Sequence, residues 1–319
     1  MPNLDTDPIP VTCDESYHPQ IEMLKFLVQY LYLITGLIIN LSILYTLWWK
    51  HPKVYRSNSF FVLFSVDCVV NTLLLLTDGL MARLLIYLTP LCPILKDYFS
   101  SPLTFFKFIM ILIFHSRICK SIIQFLLVFN RMTCVIFPIS HDSIWSKKFL
   151  KILIPIIFVI PVSVDWNLAI ARVFMQSTYG GFWVNYFKKV SWASQSRFLL
   201  VFIVFALFIT IICTFLTLLT LIKLPERSKN LEKSISNATL IISIGFSGTA
   251  AFQIYYGFFF VYSDGSHPIF GLNFLSWDFL TVGSPIVMLC VSSSLRRHVL
   301  GKNGVRDVRS TIRIRTRTI

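Results

Sequence analysis

Residues 198–222 read FLLVFIVFALFITIICTFLTLLTLI, a run without one charged side chain. A helix needs about 20 largely apolar residues to span the hydrocarbon core of a bilayer, because each backbone N–H and C=O has to be satisfied within the segment. This run meets that length without interruption. Six further windows reach it too: 26–49, 60–80, 103–129, 149–169, 238–261 and 272–293, the third being the least apolar. Mean hydropathy is +0.70, with 55% hydrophobic and only 14% charged residues. A water-soluble globule of 319 residues has a surface that demands far more charge. The fold class expected is an all-α membrane protein, a bundle of seven transmembrane helices.

Orientation follows from the connectors. Lys50, Lys53 and Arg56 follow the first window, Arg131, Lys147, Lys148 and Lys151 the third, and Lys223, Arg227, Lys229 and Lys233 the fifth. The tail adds Arg296, Arg297, Lys302, Arg306, Arg309, Arg313, Arg315 and Arg317. The opposite side holds Lys25, Arg83, Lys96, Arg172, Lys188, Lys189 and Arg197, seven against nineteen. The positive-inside rule then puts the N-terminus outside and the C-terminus in the cytoplasm. The chain divides into an extracellular segment 1–25, a seven-helix domain 26–294 and a basic cytoplasmic tail 295–319. Residues 1–22 are acidic and lack a basic n-region, and the run from Phe26 is too long for a signal peptide, so it reads as an uncleaved first span. The net charge of +14 reflects this bias. Spread over four short pieces, it does not point to nucleic acid. The Arg-rich end 309–317 is suited to anionic inner-leaflet lipid, making membrane lipids an expected partner, or serves only to enforce topology.

Cys68, Cys119, Cys134, Cys213 and Cys290 fall in or beside spans with no metal-binding spacing, and no cofactor is expected. Cys13 and Cys92 lie on the oxidising face, where they either form a disulfide or remain two free thiols. No nucleophile stands at a recognisable distance from a base, so no enzymatic activity is expected. There is no internal repeat and no matched pair of Gly/Pro-broken helices of the kind that marks inverted-repeat transporters. Pro155 and Pro161 interrupt the fourth span. Pro285 interrupts the seventh, where it removes a backbone hydrogen bond and permits a hinge.

Charged residues inside spans cost about 2.5–3.5 kcal/mol each at the bilayer centre, so they face the bundle and find partners. Asp67, Asn71 and Asp78 share an arc of about 40° on the second helix, at 100° per residue. Arg117, Lys120, Gln124 and Arg131 share an arc of about 60° on the third. Asp67 is expected to pair with Lys120 or Arg117, either as a static brace or as a switch. Asp165, Asp278 and His115 lie in the outer half among Phe105, Phe106, Phe252, Tyr255, Tyr256, Phe259, Trp277 and Phe279. An aromatic cavity with a few fixed polar groups suits a small, largely apolar ligand, although such aromatics also serve as packing.

The third helix ends Asn130-Arg131-Met132-Thr133-Cys134-Val135-Ile136-Phe137-Pro138. This resembles the Arg-centred motif at the foot of helix three in G-protein-coupled receptors, and its wording is similar to that of the nematode serpentine chemoreceptors of class gamma. The stretch Gly283-Ser284-Pro285-Ile286-Val287-Met288-Leu289-Cys290, running into Ser292-Ser293-Ser294-Leu295-Arg296, resembles the same class. The likeness extends over roughly residues 17–297. It implies a receptor for an environmental or pheromone-like small molecule, signalling through a heterotrimeric G protein in the plasma membrane of sensory neurons and their cilia. Within it Arg131 holds helix three against helix six until ligand arrives, Asp67 resembles the helix-two acid of the rhodopsin-like class, and Pro285 resembles its helix-seven proline. The chain departs from that pattern in three places: Asn130 stands where an acid usually neighbours the Arg, the seventh helix lacks the Asn and Tyr that flank the proline, and the second outer loop has no Cys. The competing class is a transporter or channel subunit that uses the same intramembrane charges.

Overall fold

The computed structural model describes residues 8–13, 17–88, 91–101, 104–178, 180–223, 226–258 and 269–301; side chains are described for these except at 221, 223, 226–239, 256–257 and 269–270. Four long helices come first: α1 (Pro19–Lys50), α2 (Ser59–Tyr87), α3 (Thr104–Ile136) and α4 (Lys147–Ile170). They are followed by α5 (Gln195–Lys223), α6 (Glu226–Phe258), α7 (Gly271–Val291) and the short α8 (Ser293–Val299). Among the described residues, six helices are long and apolar enough to cross a membrane, and α6 contributes a shorter apolar stretch, Leu240–Tyr255. The chain is thus a helical membrane bundle, and each of the seven windows overlaps one of α1 to α7. Its basic tail from residue 302, and with it the expected lipid contact there, lies outside the described residues.

Local chemistry sets the helix boundaries. The Asn58 side chain accepts from Phe60 N at 3.0 Å and starts α2, and Ser146 accepts from Phe149 N at 3.3 Å to start α4. Pro155 is carried inside α4, whereas Pro161 divides it into Lys147–Val159 and Val162–Ile170. Wider π-helical turns occur at Leu75–Ala82 in α2 and at Phe279–Gly283 in α7, the latter just before Pro285.

The bundle is built around α3, which packs on α2, α4 and α5; α1 lies on α2 and α7, and α6 bridges α5 to α7. Leu63 and Phe64 of α2, Ile118 and Ile123 of α3, Leu199 and Ile203 of α5, Phe246 of α6 and Leu280 of α7 form the central core. Polarity is inverted relative to a soluble bundle. Leu31, Ile152, Val201 and Phe208 point outward, while Asn40, Asp67, Asn71, Lys120 and Gln124 are buried. Close approach of α1 to α7 depends on Gly36, where a Cβ would come within 2.5 Å of Val282 Cγ2.

Two features differ from the expectation of an all-α chain with Arg83 in an outer loop. Between α4 and α5 the backbone forms an antiparallel hairpin, β1 (Arg172–Thr178) and β2 (Gly181–Phe187). Gly180 takes φ of 77°, and Gly181 lies so close to Leu85 O that a Cβ would come within 2.2 Å of it. Glycine at both positions lets the strands turn and settle on the end of α2. Arg83 stands on an extension of α2 past residue 80, because a buried partner, Asp278, makes helix more favourable there than loop. A disulfide joins Cys13 to Cys92, and Phe99, Met175 and Phe182 pack with Cys92 beneath the hairpin. The bundle therefore has a disulfide end and, at the foot of α3, an Arg131 end.

At the Arg131 end α8 docks through His298, whose Nδ1 lies 2.7 Å from Tyr55 Oη and whose ring stacks on His51 at 4.2 Å. Burial, His51 and Lys50 lower the His298 pKa from 6.5. The folded state therefore holds fewer protons than the unfolded one just below pH 6.5, so the stability this contact contributes is present above that pH and is lost as pH falls through it. Fluorescence from a probe on α8 should report undocking on acidification, and His298→Phe should remove the pH dependence.

Gly36→Ala is expected to destabilise the protein by about 1–3 kcal/mol of overpacking, read as a lower melting temperature in detergent. Combining it with Val282→Ala should recover most of the loss. No recovery would mean that the α1–α7 contact is not what Gly36 serves.

Candidate functional site

The polar residues of the interior form one connected system. Lys120 Nζ lies 2.7 and 2.8 Å from the two carboxylate oxygens of Asp67, with side chains 0% and 2% exposed. Asp67 also accepts from Asn71 at 3.1 Å, and Asn71 donates onward to Asn40 at 3.4 Å. Asn40 in turn donates to Thr281 O of α7 at 3.1 Å. One chain of contacts thus runs α3–α2–α1–α7 and ends in the π turn before Pro285. Of the two partners expected for Asp67, the structure selects Lys120.

Arg117 instead bonds Asp78 Oδ2 at 2.5 Å. Asp78 falls inside the π turn of α2, so its direction departs from the 100° spacing that aligned it with Asp67. A third buried pair was hidden in the sequence by its partner's apparent place in a loop. Arg83 makes two bonds to Asp278, at 2.8 and 2.7 Å, joined by Tyr32 Oη donating to Asp278 at 2.5 Å. The guanidinium of Arg83 also covers the Phe274 ring at 4.6 Å.

His115 and Asp165 meet at 2.7 Å between α3 and α4 and, among the described residues, share no partner with Asp278. The expected pocket acids therefore belong to two separate pairs. Trp277 is buried beneath Arg117, 5.0 Å from its Cζ to the ring, and among the described residues its indole N–H has no hydrogen-bond partner. Tyr255 is half-buried on α6, whereas the side chain of Tyr256, and Phe259 altogether, lie outside the described positions.

A cleft of about 580 Å³, its open mouth included, lies between α2, α3 and β2 at the disulfide end. Met81, Ala82, Leu85, Phe106, Ile109, Met110, Ile113 and Phe114 give it apolar walls, and Trp183 and Val184 of the hairpin close one side. Asp78 and Arg117 are its polar members. Among the described residues, Nε of Arg117 is buried without a hydrogen-bond partner, an unused buried donor on a guanidinium already neutralised by Asp78. Sequence reasoning missed this cleft because the strand that flanks it read as loop; the Gly-Gly step between two runs rich in β-formers was the available signal.

At the other end Arg131 is half-buried with its guanidinium 4.2 Å above the Phe60 ring of α2. Asn130, which departs from the acid of the resembled motif, donates to Ser59 Oγ at 2.8 Å, and Trp145 Nε1 donates to Thr133 at 2.8 Å. The foot of α3 is thus fastened to the start of α2. The side chains of α6 that would meet Arg131 in the expected contact, 226–239, are outside those described.

The Asp67–Lys120 pair should behave as a buried ion pair. Lys120→Met alone is expected to destabilise the purified protein by about 3–5 kcal/mol through the uncompensated carboxylate, and Lys120→Met with Asp67→Leu should restore most of it. Melting curves in one detergent decide the matter: a double variant no better than the single one removes the pairing argument.

Comparison with known sequences agrees with this architecture. A sequence model of the Srg family of chemoreceptors matches residues 26–299. The chain is 61% identical over 299 residues to serpentine receptor class gamma-14 of Caenorhabditis elegans, covering 94% of this chain and 90% of that protein. It is 48% identical to serpentine receptor class gamma-11 of the same organism, over 98% of this chain and 92% of the relative, and 36% identical to class gamma-13, over 92% and 88%. With matches of this extent over an ion-paired membrane bundle, the chain belongs to the Srg family of chemoreceptors, the serpentine receptors of class gamma.

Proposed function

We propose that this chemoreceptor crosses the membrane seven times with its disulfide end outside, binds a small apolar molecule in the α2–α3–β2 cleft, and signals through a heterotrimeric G protein at the Arg131 end, in the plasma membrane of sensory neurons and their cilia. The observation that carries the reading is the unused Arg117 donor at the polar edge of an apolar cleft. Because Asp78 already balances the guanidinium charge, the site favours a neutral ligand with one hydrogen-bond acceptor, such as a carbonyl or ether oxygen, over an anion.

A ligand that draws on Arg117 alters the contact between α3 and α2. Arg131 lies 14 residues further along the same helix, about 21 Å at 1.5 Å per residue. A shift of α3 as a rigid body therefore reaches the Arg131–Phe60 and Asn130–Ser59 contacts, and through Lys120 and Asp67 it reaches the π turn of α7. The ligand changes the population of the two arrangements only to the extent that it binds one better. The transporter or channel reading is less well supported, because Asp67, Asp78, Asp165 and Asp278 are each engaged by a basic partner.

The test is ligand-evoked calcium or cAMP signalling in cells expressing the chain and screened with a volatile and lipophilic panel. Arg131→Ala should abolish the response while surface level and ligand binding persist, and Met110→Trp, which fills the cleft, should abolish binding. A response that survives Arg131→Ala together with substrate flux would assign the chain to transport. Tags at the two termini, probed on intact cells, check the orientation independently.

A further inference from the structure

A second cleft lies at the Arg131 end, between α1, α2 and α4, with an empty volume of about 770 Å³ including its mouth. Its walls include Leu47, Phe61, Leu150 and Ile154, and its rim carries Arg56, Lys147 and Lys151. None of these three cations has a carboxylate partner among the described residues. Arg56 is nonetheless held in place: its guanidinium covers the Trp48 ring at 4.8 Å and donates to Trp48 O at 3.1 Å. Trp48 on α1 and Ile152 on α4 are exposed, so the helices that flank the cleft turn apolar surface outward.

We propose that this cleft binds an anionic phospholipid, its phosphate against Arg56, Lys147 and Lys151 and an acyl chain along Leu47, Phe61, Leu150 and Ile154. Charge complementarity selects the headgroup, since three uncompensated cations favour an anion there. The apolar walls select a lipid over a soluble anion, which would leave them without contacts. Basic residues placed solely to fix topology need no apolar recess beside them. That the lipid comes from the inner leaflet rests on the orientation proposed above, but binding itself does not.

The experiment uses the full chain in nanodiscs of phosphatidylcholine with or without phosphatidylserine. Both leaflets are alike there, so a wrong orientation cannot mask the site. Native mass spectrometry should find one phosphatidylserine retained through delipidation. Arg56→Ala/Lys147→Ala/Lys151→Ala should weaken retention about a hundredfold, from about 1 kcal/mol per basic residue and 1.4 kcal/mol per tenfold. Lys147→Arg/Lys151→Arg should keep it. Ile154→Trp, which fills the recess and leaves every charge, should also abolish it. Retention unchanged in the triple alanine variant, unchanged in Ile154→Trp, or competed equally well by inorganic phosphate would overturn the proposal.

Discussion

A carboxylate or ammonium group inside a bilayer has no water to turn to, and the Lys120–Asp67 contact answers that constraint at the centre of the bundle. Its geometry spreads outward, because the polar groups beside it also find partners inside the bundle. Asp67 engages Asn71, Asn71 engages Asn40, and Asn40 closes on a carbonyl of α7. The order in which α3, α2, α1 and α7 pack is therefore written in polar contacts, while apolar surface, as cohesive with lipid as with protein, specifies much less.

Two more buried pairs, Arg117–Asp78 and Arg83–Asp278, lie toward the disulfide end on either side of α2. Such pairs contribute little net stability against an apolar replacement, yet breaking one is costly. That asymmetry suits a receptor. In the binding mode proposed above, a ligand need not supply a large energy to rearrange helices, because it offers its own acceptor to a guanidinium whose Nε is buried without a partner among the described residues. The two ends are then linked by α3 itself, whose foot is fastened to α2 by Asn130 and Arg131.

Much of this is legible in the sequence alone, and for physical reasons. Spans follow from length and polarity, and Asp67 and Lys120 declared themselves because charge within apolar sequence has few explanations. Cys13 and Cys92 stood out as the two cysteines on one face. Arg83 was missed because an arginine near a span end reads as loop, and its partner in α7 is far away in sequence. Asp165 and Asp278, expected around one aromatic cavity, stand in two separate pairs, since rotational position around a helix does not say which neighbour a side chain will meet. The cleft between α2, α3 and β2 was not legible in this way, because it needed the hairpin, whose two strands pair in a register that the sequence does not state.

The Arg83–Asp278 pair also bears on how the chain is made. Asp67 and Asp78 enter with α2, and the bases that neutralise them arrive on α3, the next helix to emerge, so two consecutive segments can partition into lipid as a compensated hairpin. Arg83 has to wait much longer, because its carboxylate is on the last long helix. Until synthesis is nearly finished, α2 carries an unmatched positive charge, and the arrival of α7 is what removes it. The bond that fixes two helices in the mature receptor thus also distinguishes a complete polypeptide from an interrupted one.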